Sequence, residues 1–521
     1  MNAIQACATA PADTGGTLAA DAARRRFQPM SDAIRSFSRT STFKILSPEQ
    51  EKKIHESCLQ VLEHTGVSTT NKNLLQVMAD HGQKVDFDEM RIRFDPDFVE
   101  QQRKKAPRNY TLHARNPEYD LPLGGERGWL STDGCPAHVW DIDTLQRRYS
   151  AKEDITRFTT VADALPQVAI QWQCCAANDK PVMVRPMHET HAQWHATSKH
   201  IMQMTAIDPF NAKGLVEMCR VIAGGADELR ARPIMSNFQC SISPLHWDEP
   251  TVDAMQIFAE AGIPVGMCAM PLAGASAPLS VAGLMVIANA EILSGFTILE
   301  TLVPGAKTFH VSYNTTIDMN TGELNPAWGG NDIFAEMGSA QMGAYFDVPT
   351  CHGAYGTGSK ASDWQSGAQA GLAAMGAMLV PGDMLTGIGS LYGDSVSSIT
   401  ELMLGAEIYE IAAGWSDGFA FDDEALALDS INNVGPAGHF LDQEHTLIHM
   451  REFWRETHMN RMTWDAWEAA ERPDPQVSAN NKAREILATH EPMPLPDGMQ
   501  EELDAIMSAY EAEALATEQA V

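Results

Sequence analysis

Ile263-Pro264-Val265-Gly266-Met267-Cys268-Ala269-Met270 is an apolar run of strand length, and a helix-length segment separates it from the next such run, Lys307–Val311. The same alternation continues outward in both directions. Upstream lie Gln167–Cys174, Lys199–Met204 and Pro233–Gln239; downstream lie Val348–Gly353 and Asp383–Ile388. Most spacings are about 30 to 40 residues, the size of one strand-plus-helix unit. Repetition of this unit argues for an α/β protein built as a (β/α)8, or TIM, barrel. An open doubly wound sheet is the competing arrangement. The eighth strand is the least distinct, and the reading puts it near Gly418–Phe421.

Around that core the chain divides into a disordered tail (1–40), a helix and strand extension (41–150), the barrel (151–435) and a helical, Trp-rich C-terminal cap (436–521). The tail is rich in Ala, Thr, Ser and Gly and has no apolar periodicity. Ser47-Pro48-Glu49-Gln50 reads as a helix start, with Ser47 as N-cap, Pro48 in the first turn and Gln50 completing a capping box. Ile54, Leu59 and Leu62 continue that helix to a stop at Gly66. Trp454, Trp464 and Trp467 mark the cap.

The 521 residues carry 37 Lys plus Arg against 68 Asp plus Glu, a formal charge of −31. That balance argues against nucleic acid as a partner, because phosphate contacts need clustered basic side chains. Nine scattered cysteines with no CxxC pair read as reduced thiols of a cytoplasmic protein. No apolar stretch of about 18 residues is free of polar breaks, so no membrane span is expected. Arg24-Arg25-Arg26 is followed by Phe27-Gln28-Pro29-Met30 rather than by the apolar segment of an export signal.

A barrel of this kind builds its active site at the C-terminal ends of its strands. The residues just beyond the strand runs form a polar and aromatic set, with no carboxylate pair standing out. Tyr313, Trp328, Tyr355 and Trp364 fall in one stretch and can form an aromatic cage for a positively charged amine. Lys360 or His352 can anchor a substrate carboxylate, and His195 and His310 lie nearby in sequence. Asp133, in Ser131-Thr132-Asp133-Gly134-Cys135 ahead of the barrel, reads as turn chemistry or as a counter-charge closing over a cation. A zinc set of Cys240, Cys268, Cys351, His310 and His352 is the alternative, although its spacing is unpatterned. Gly353-Ala354-Tyr355-Gly356-Thr357-Gly358-Ser359-Lys360 fails as a phosphate loop, because no Ser or Thr follows the lysine. Rim packing is the plain explanation for any one of these aromatics. No single residue is identified as catalytic.

Several ordered motifs resemble the trimethylamine methyltransferase (MttB) family. They are Pro271-Leu272-Ala273-Gly274-Ala275-Ser276-Ala277-Pro278 with Ala282-Gly283 and Asn289-Ala290-Glu291, and Val303-Pro304-Gly305-Ala306 with Asp318-Met319-Asn320-Thr321-Gly322. Ser359-Lys360 with Asp363 and Gln365, and Gly435-Pro436-Ala437-Gly438-His439-Phe440-Leu441 with His445-Thr446, complete the set. The resemblance runs from about residue 45 to the C-terminus. It implies transfer of a methyl group from a small methylated amine to the Co(I) corrinoid of a separate corrinoid protein. That makes the corrinoid, as methylcobalamin, the expected cofactor, carried by the partner. No bound metal is expected, and a homo-oligomer is.

Archetypal members use pyrrolysine, and this sequence has none. It therefore resembles the branch without pyrrolysine, whose characterised members act on glycine betaine and related quaternary amines. A quaternary nitrogen already carries the charge that makes its methyl group transferable. The protein then has to orient the N–CH₃ bond and exclude water. Gly358-Ser359-Lys360 departs from relatives that place an acidic residue before Ser/Ala-Lys.

Overall fold

The computed structural model describes residues 34–325, 330–353, 355–450 and 457–520. Eight parallel strands form its centre: β1 Arg127–Thr132, β2 Val168–Trp172, β3 His200–Gln203, β4 Met235–Cys240, β5 Val265–Ala269, β6 Thr308–Ser312, β7 Thr350–Gly353 and β8 Met384–Ile388. Each pairs with the next, and β8 pairs with β1 through Met384 opposite Trp129, which closes the sheet into a barrel. A helix follows each strand: α1 Lys152–Ala164, α2 Arg185–Ala196, α3 Pro209–Ala223, α4 Glu249–Glu260, α5 Val281–Leu302, α6 Gly330–Tyr345, α7 Trp364–Leu379 and α8 Ile399–Asp417. The fold is a (β/α)8 barrel.

The closing strand differs from the expectation. Gly418–Phe421 is irregular, and Phe419 and Phe421 are exposed. The strand that completes the barrel is β1, which lies upstream of the seven runs. A closing strand must bond to both β2 and β8. Leu130 does so, standing opposite Val168 on one side and Leu385 on the other. A further strand, Phe37–Ser38, pairs antiparallel with the start of β1. Phe37 is fully buried, and its ring covers Gly128, where a Cβ would come within 2.2 Å of the ring. Residues 34–40 of the stretch read as a tail are thus tied to the barrel; 1–33 lie outside the described residues.

Side chains alternate across each strand. Phe238, Cys268, Phe309, Val311, Cys351 and Met384 pack together inside the barrel. His310 and His352 alternate with these residues and so sit on the outer face of their strands. A second and larger core lies between the strands and the helix layer. α5 is apolar on every side and the one described helix long and apolar enough to cross a membrane; 72% of its most apolar window is buried inside the protein. Its polar residues hold the strand ends. Glu291 accepts from Ser241 Oγ (2.5 Å), Ser243 Oγ (2.7 Å) and the Leu245 N–H (2.8 Å).

The helix Pro48–His64 starts on Ser47 with both halves of the capping box in place, and the chain leaves it through Gly66 at φ +74°. Val67–Thr69, Lys84–Asp86 and Arg91–Arg93 follow as a small sheet, which His246–Trp247 extends. The C-terminal helices Pro475–Thr489 and Met499–Ala520 lie against α1 and α8 and against α3, respectively. Residues 419–450 belong to a separate unit; within it are three short helices, Asp423–Leu426, Leu428–Val434 and Glu444–His449. Trp454 lies outside the described residues, and Trp464 is exposed beside Trp467.

Candidate active site

Strand ends β1, β2, β3, β5, β6, β7 and β8 surround a cavity of about 350 Å³. Asp133 and Gly134 follow β1, Trp172 ends β2, Met204 follows β3, and Met270 follows β5. Tyr313 follows β6, Gly353 ends β7, and Thr386 and Gly387 belong to β8. From there the cavity reaches Ile333, Glu336 and Met337 on α6 and Ala373 and Ala377 on α7. Its position at the C-terminal ends of the strands is the one this fold uses for chemistry.

One wall is aromatic. Trp172 and Tyr313 stack at 5.8 Å with planes 22° apart, and Phe238 meets Trp172 edge-on at 5.0 Å. Gly134 lies against the indole: a Cβ there would come within 2.4 Å of Nε1, so a side chain has no room. Tyr313 is oriented by its hydroxyl, 3.0 Å from Thr386 Oγ1 and 3.7 Å from Cys351 Sγ. Tyr355 is buried, and its hydroxyl has no hydrogen-bond partner.

The other wall carries acid. Asp133 accepts from the Gly134 N–H at 2.9 Å and contacts Ser390 Oγ. The same Oγ lies 2.8 Å from Asp394 Oδ1. A serine hydroxyl has one hydrogen to share between two carboxyls. Burial, and then the charge of Asp394, lift the Asp133 carboxyl well above its ordinary range. The Ser390 hydroxyl thus bridges the Asp133 and Asp394 carboxyls. Glu336 opens onto the cavity and accepts from the Asn314 N–H; burial lifts it well above the usual carboxylate range too. His352 borders the cavity, but its ring lies on the outer face of β7 beside Gly382 with neither nitrogen partnered; burial pushes it down to about 3, so the imidazole is neutral.

Of the residues singled out in the sequence, the fold brings Asp133, Tyr313, His352 and Tyr355 to this cavity. Asp133 lies on the first barrel strand's end rather than ahead of the barrel. His310 is directed away: its Nε2 is 2.9 Å from Asn289 Oδ1 of α5. His195 sits in the last turn of α2, at the opposite end of the barrel, with its ring 4.5 Å from His191. Lys360 is exposed; its Nζ donates to Gly358 O at 3.0 Å and lies 4.4 Å from the centre of the Tyr392 ring. Trp364 is exposed at the start of α7, and Trp328 lies outside the described residues.

The cysteines and histidines of the zinc alternative are split by the strand alternation. Cys268 and Cys351 belong to the interior and His310 and His352 to the outer face, and among the described residues no group of three or more such side chains converges. The acidic character of the site is the feature that sequence reading missed. Asp394 follows the run Asp383–Ile388 and so falls in a strand-end loop. Glu336 is an acid set among apolar neighbours in α6, Ile333-Phe334-Ala335-Glu336-Met337, a pattern that marks a buried carboxyl.

The chain matches the family described as "Trimethylamine methyltransferase (MTTB)" over residues 14–514. It is 30% identical over 475 residues to a "Glycine betaine methyltransferase" of Desulfitobacterium hafniense (strain Y51), covering 90% of this chain and 97% of that protein. It is 28% identical over 468 residues to "Trimethylamine methyltransferase MttB" of Desulfitobacterium hafniense (strain DSM 10664 / DCB-2), covering 90% and 94%. The solved structure of the Methanosarcina barkeri monomethylamine methyltransferase (MtmB) superposes with a TM-score of 0.48 at 12% identity, covering 91% and 92%. With a family match that runs through the barrel and every loop around the cavity, the chain belongs to the trimethylamine methyltransferase (MTTB) family.

Proposed function

We propose that this protein moves a methyl group from a quaternary amine, the class that includes glycine betaine, to the Co(I) corrinoid of a partner protein. The observation that carries this reading is the pairing of aromatic faces with carboxyls around one cavity at the strand ends. A quaternary ammonium has no N–H to donate, so it is held by π faces and by negative charge. Trp172, Tyr313 and Tyr355 offer the first, and Asp133, Asp394 and Glu336 the second. His352 stays neutral and adds no competing positive charge.

Transfer breaks the C–N bond and leaves its electron pair on nitrogen, while the new bond takes its pair from Co(I). The amine product is neutral once the methyl group has gone. It has lost the attraction that held the substrate, and release follows. No general acid is required, and the work left to the protein is to orient one N–CH₃ bond and exclude water. The reading carries with it a cytoplasmic location, a homo-oligomeric assembly and a corrinoid protein docking over the strand ends.

The test is a donor screen with cob(I)alamin and the full chain, read by the absorbance of methylcobalamin. At least one quaternary amine should give turnover; trimethylamine alone giving turnover, or no donor doing so, would overturn the proposal.

A further inference from the structure

The cavity carries charge of one sign only. Asp133, Asp394 and Glu336 line it, and no Lys or Arg is among its described lining residues. The sequence explains why. From residue 233 to residue 450 the chain contains two Lys or Arg residues, Lys307 and Lys360. Lys307 immediately precedes β6 and so lies at the other end of the barrel. Strands β4 to β8 and the loops at their C-terminal ends thus have Lys360 as their one basic side chain, and it is turned onto the Tyr392 ring outside the cavity. Near β1, Arg148 is taken up by Asp141 (2.8 Å) and Asp154 (2.7 Å).

The rest of the wall fits an uncharged substituent. Met204, Met270, Leu272, Ile333 and Met337 supply apolar surface beyond the carboxyls. Tyr313 Oη and Thr386 Oγ1, 3.0 Å apart, add hydroxyls to the wall. These are neutral groups, suited to a hydroxyl or to an apolar chain passing beside them. A substrate carboxylate placed here would be desolvated next to three carboxyls with no cation to meet it, which is the costly way to bury a charge.

We infer that this site selects a net cation, a trimethylammonium group carried on an uncharged, largely apolar or hydroxyl-bearing substituent, over a zwitterion that also bears a carboxylate. The inference rests on the proposed quaternary-amine chemistry and adds the charge of the donor's remaining part. Asp133, Asp394 and Glu336 are the residues that determine it. They act on the donor's net charge, and each carboxylate they present raises the cost of a second negative charge.

The experiment measures binding and turnover separately on the full chain, with choline and benzyltrimethylammonium as net cations and glycine betaine and carnitine as zwitterions. Calorimetry should place the net cations about tenfold or more tighter than either zwitterion, and methylcobalamin formation should follow the same order in kcat/KM. Glu336→Gln should weaken the net cations by about tenfold while changing glycine betaine by less than about threefold. Glycine betaine or carnitine binding as tightly as choline would overturn the inference even with turnover intact. The expected binding order without turnover of any donor would instead overturn the methyl-transfer reading and leave the charge selection standing. If Glu336→Gln does not fold, the wild-type binding order decides alone.

Discussion

Two groups of carboxyls lie at opposite ends of the same barrel and are treated in opposite ways. At the N-terminal end Asp383 is fully buried, with Arg39 at 2.8 Å and Arg108 at 3.4 Å. It also accepts from the N–H groups of Gly124 (2.6 Å) and Thr350 (3.0 Å). At the C-terminal end Asp133, Asp394 and Glu336 face a cavity with no cation among its lining residues. The first arrangement completes its charge balance inside the protein. The second leaves its balance to whatever enters. Barrels divide their labour this way, with stability at the strand starts and chemistry at the strand ends.

The largest effect is expected from breaking the first arrangement. Asp383→Ala strands two arginines and removes acceptors from two backbone N–H groups, so it should cost about 3 to 5 kcal/mol in chemical denaturation. A loss below about 1 kcal/mol would erase the contrast between the two ends.

Glu336→Gln should do the reverse. It should weaken choline binding by about tenfold, read by calorimetry, without lowering the stability of the ligand-free protein. The sign follows from linkage. Burial raises Glu336 above its unfolded value, so the native state holds the extra proton, and ligand-free stability falls as pH rises above the ordinary carboxylate range. The glutamine variant should show a flatter profile over the same range. A steeper one would mean that Glu336 has an unrecognised partner.

A smaller effect should appear in KM. A quaternary donor keeps its charge at every pH, so any dependence comes from the protein. Asp133 and Glu336 both sit above the usual range, and Asp394 faces Asp133 through Ser390. His352, pushed down to about 3, is neutral throughout. KM for choline should therefore fall as pH rises above the ordinary carboxylate range, by a few-fold at most. A KM that rises over that interval would break the comparison. Least of all is expected from Lys360→Ala, which should change KM for any donor by less than about twofold, because its ammonium is exposed and turned onto Tyr392.

Much of this was visible along the chain. Seven strands announced themselves as short apolar runs at a regular spacing, because each is buried on both faces and so reads as continuous. The aromatic side of the cavity was visible in part, through Tyr313 and Tyr355. Trp172 was not singled out, although it lies inside the recognised run Gln167–Cys174. The histidines misled for a definite reason. Strand alternation sends His310 to the helix layer, where Asn289 holds it, and nothing in the residue type reveals which face it occupies.

The sequence by itself determined the (β/α) repeat, the capped helix at Pro48 and the family. All of these depend on neighbours in the chain or on ordered motifs. Only the tertiary structure decided which segment closes the barrel and where the acids meet. Arg127–Thr132 has no apolar run to announce it, and its identity as a strand depends on β2 and β8 flanking it. The same pairing of β8 with β1 brings Asp133 and Asp394, from opposite ends of the barrel sequence, to one serine hydroxyl. Periodicity is local and can be read from one residue to the next; a carboxyl pair created by barrel closure exists only once the first and last strands have met.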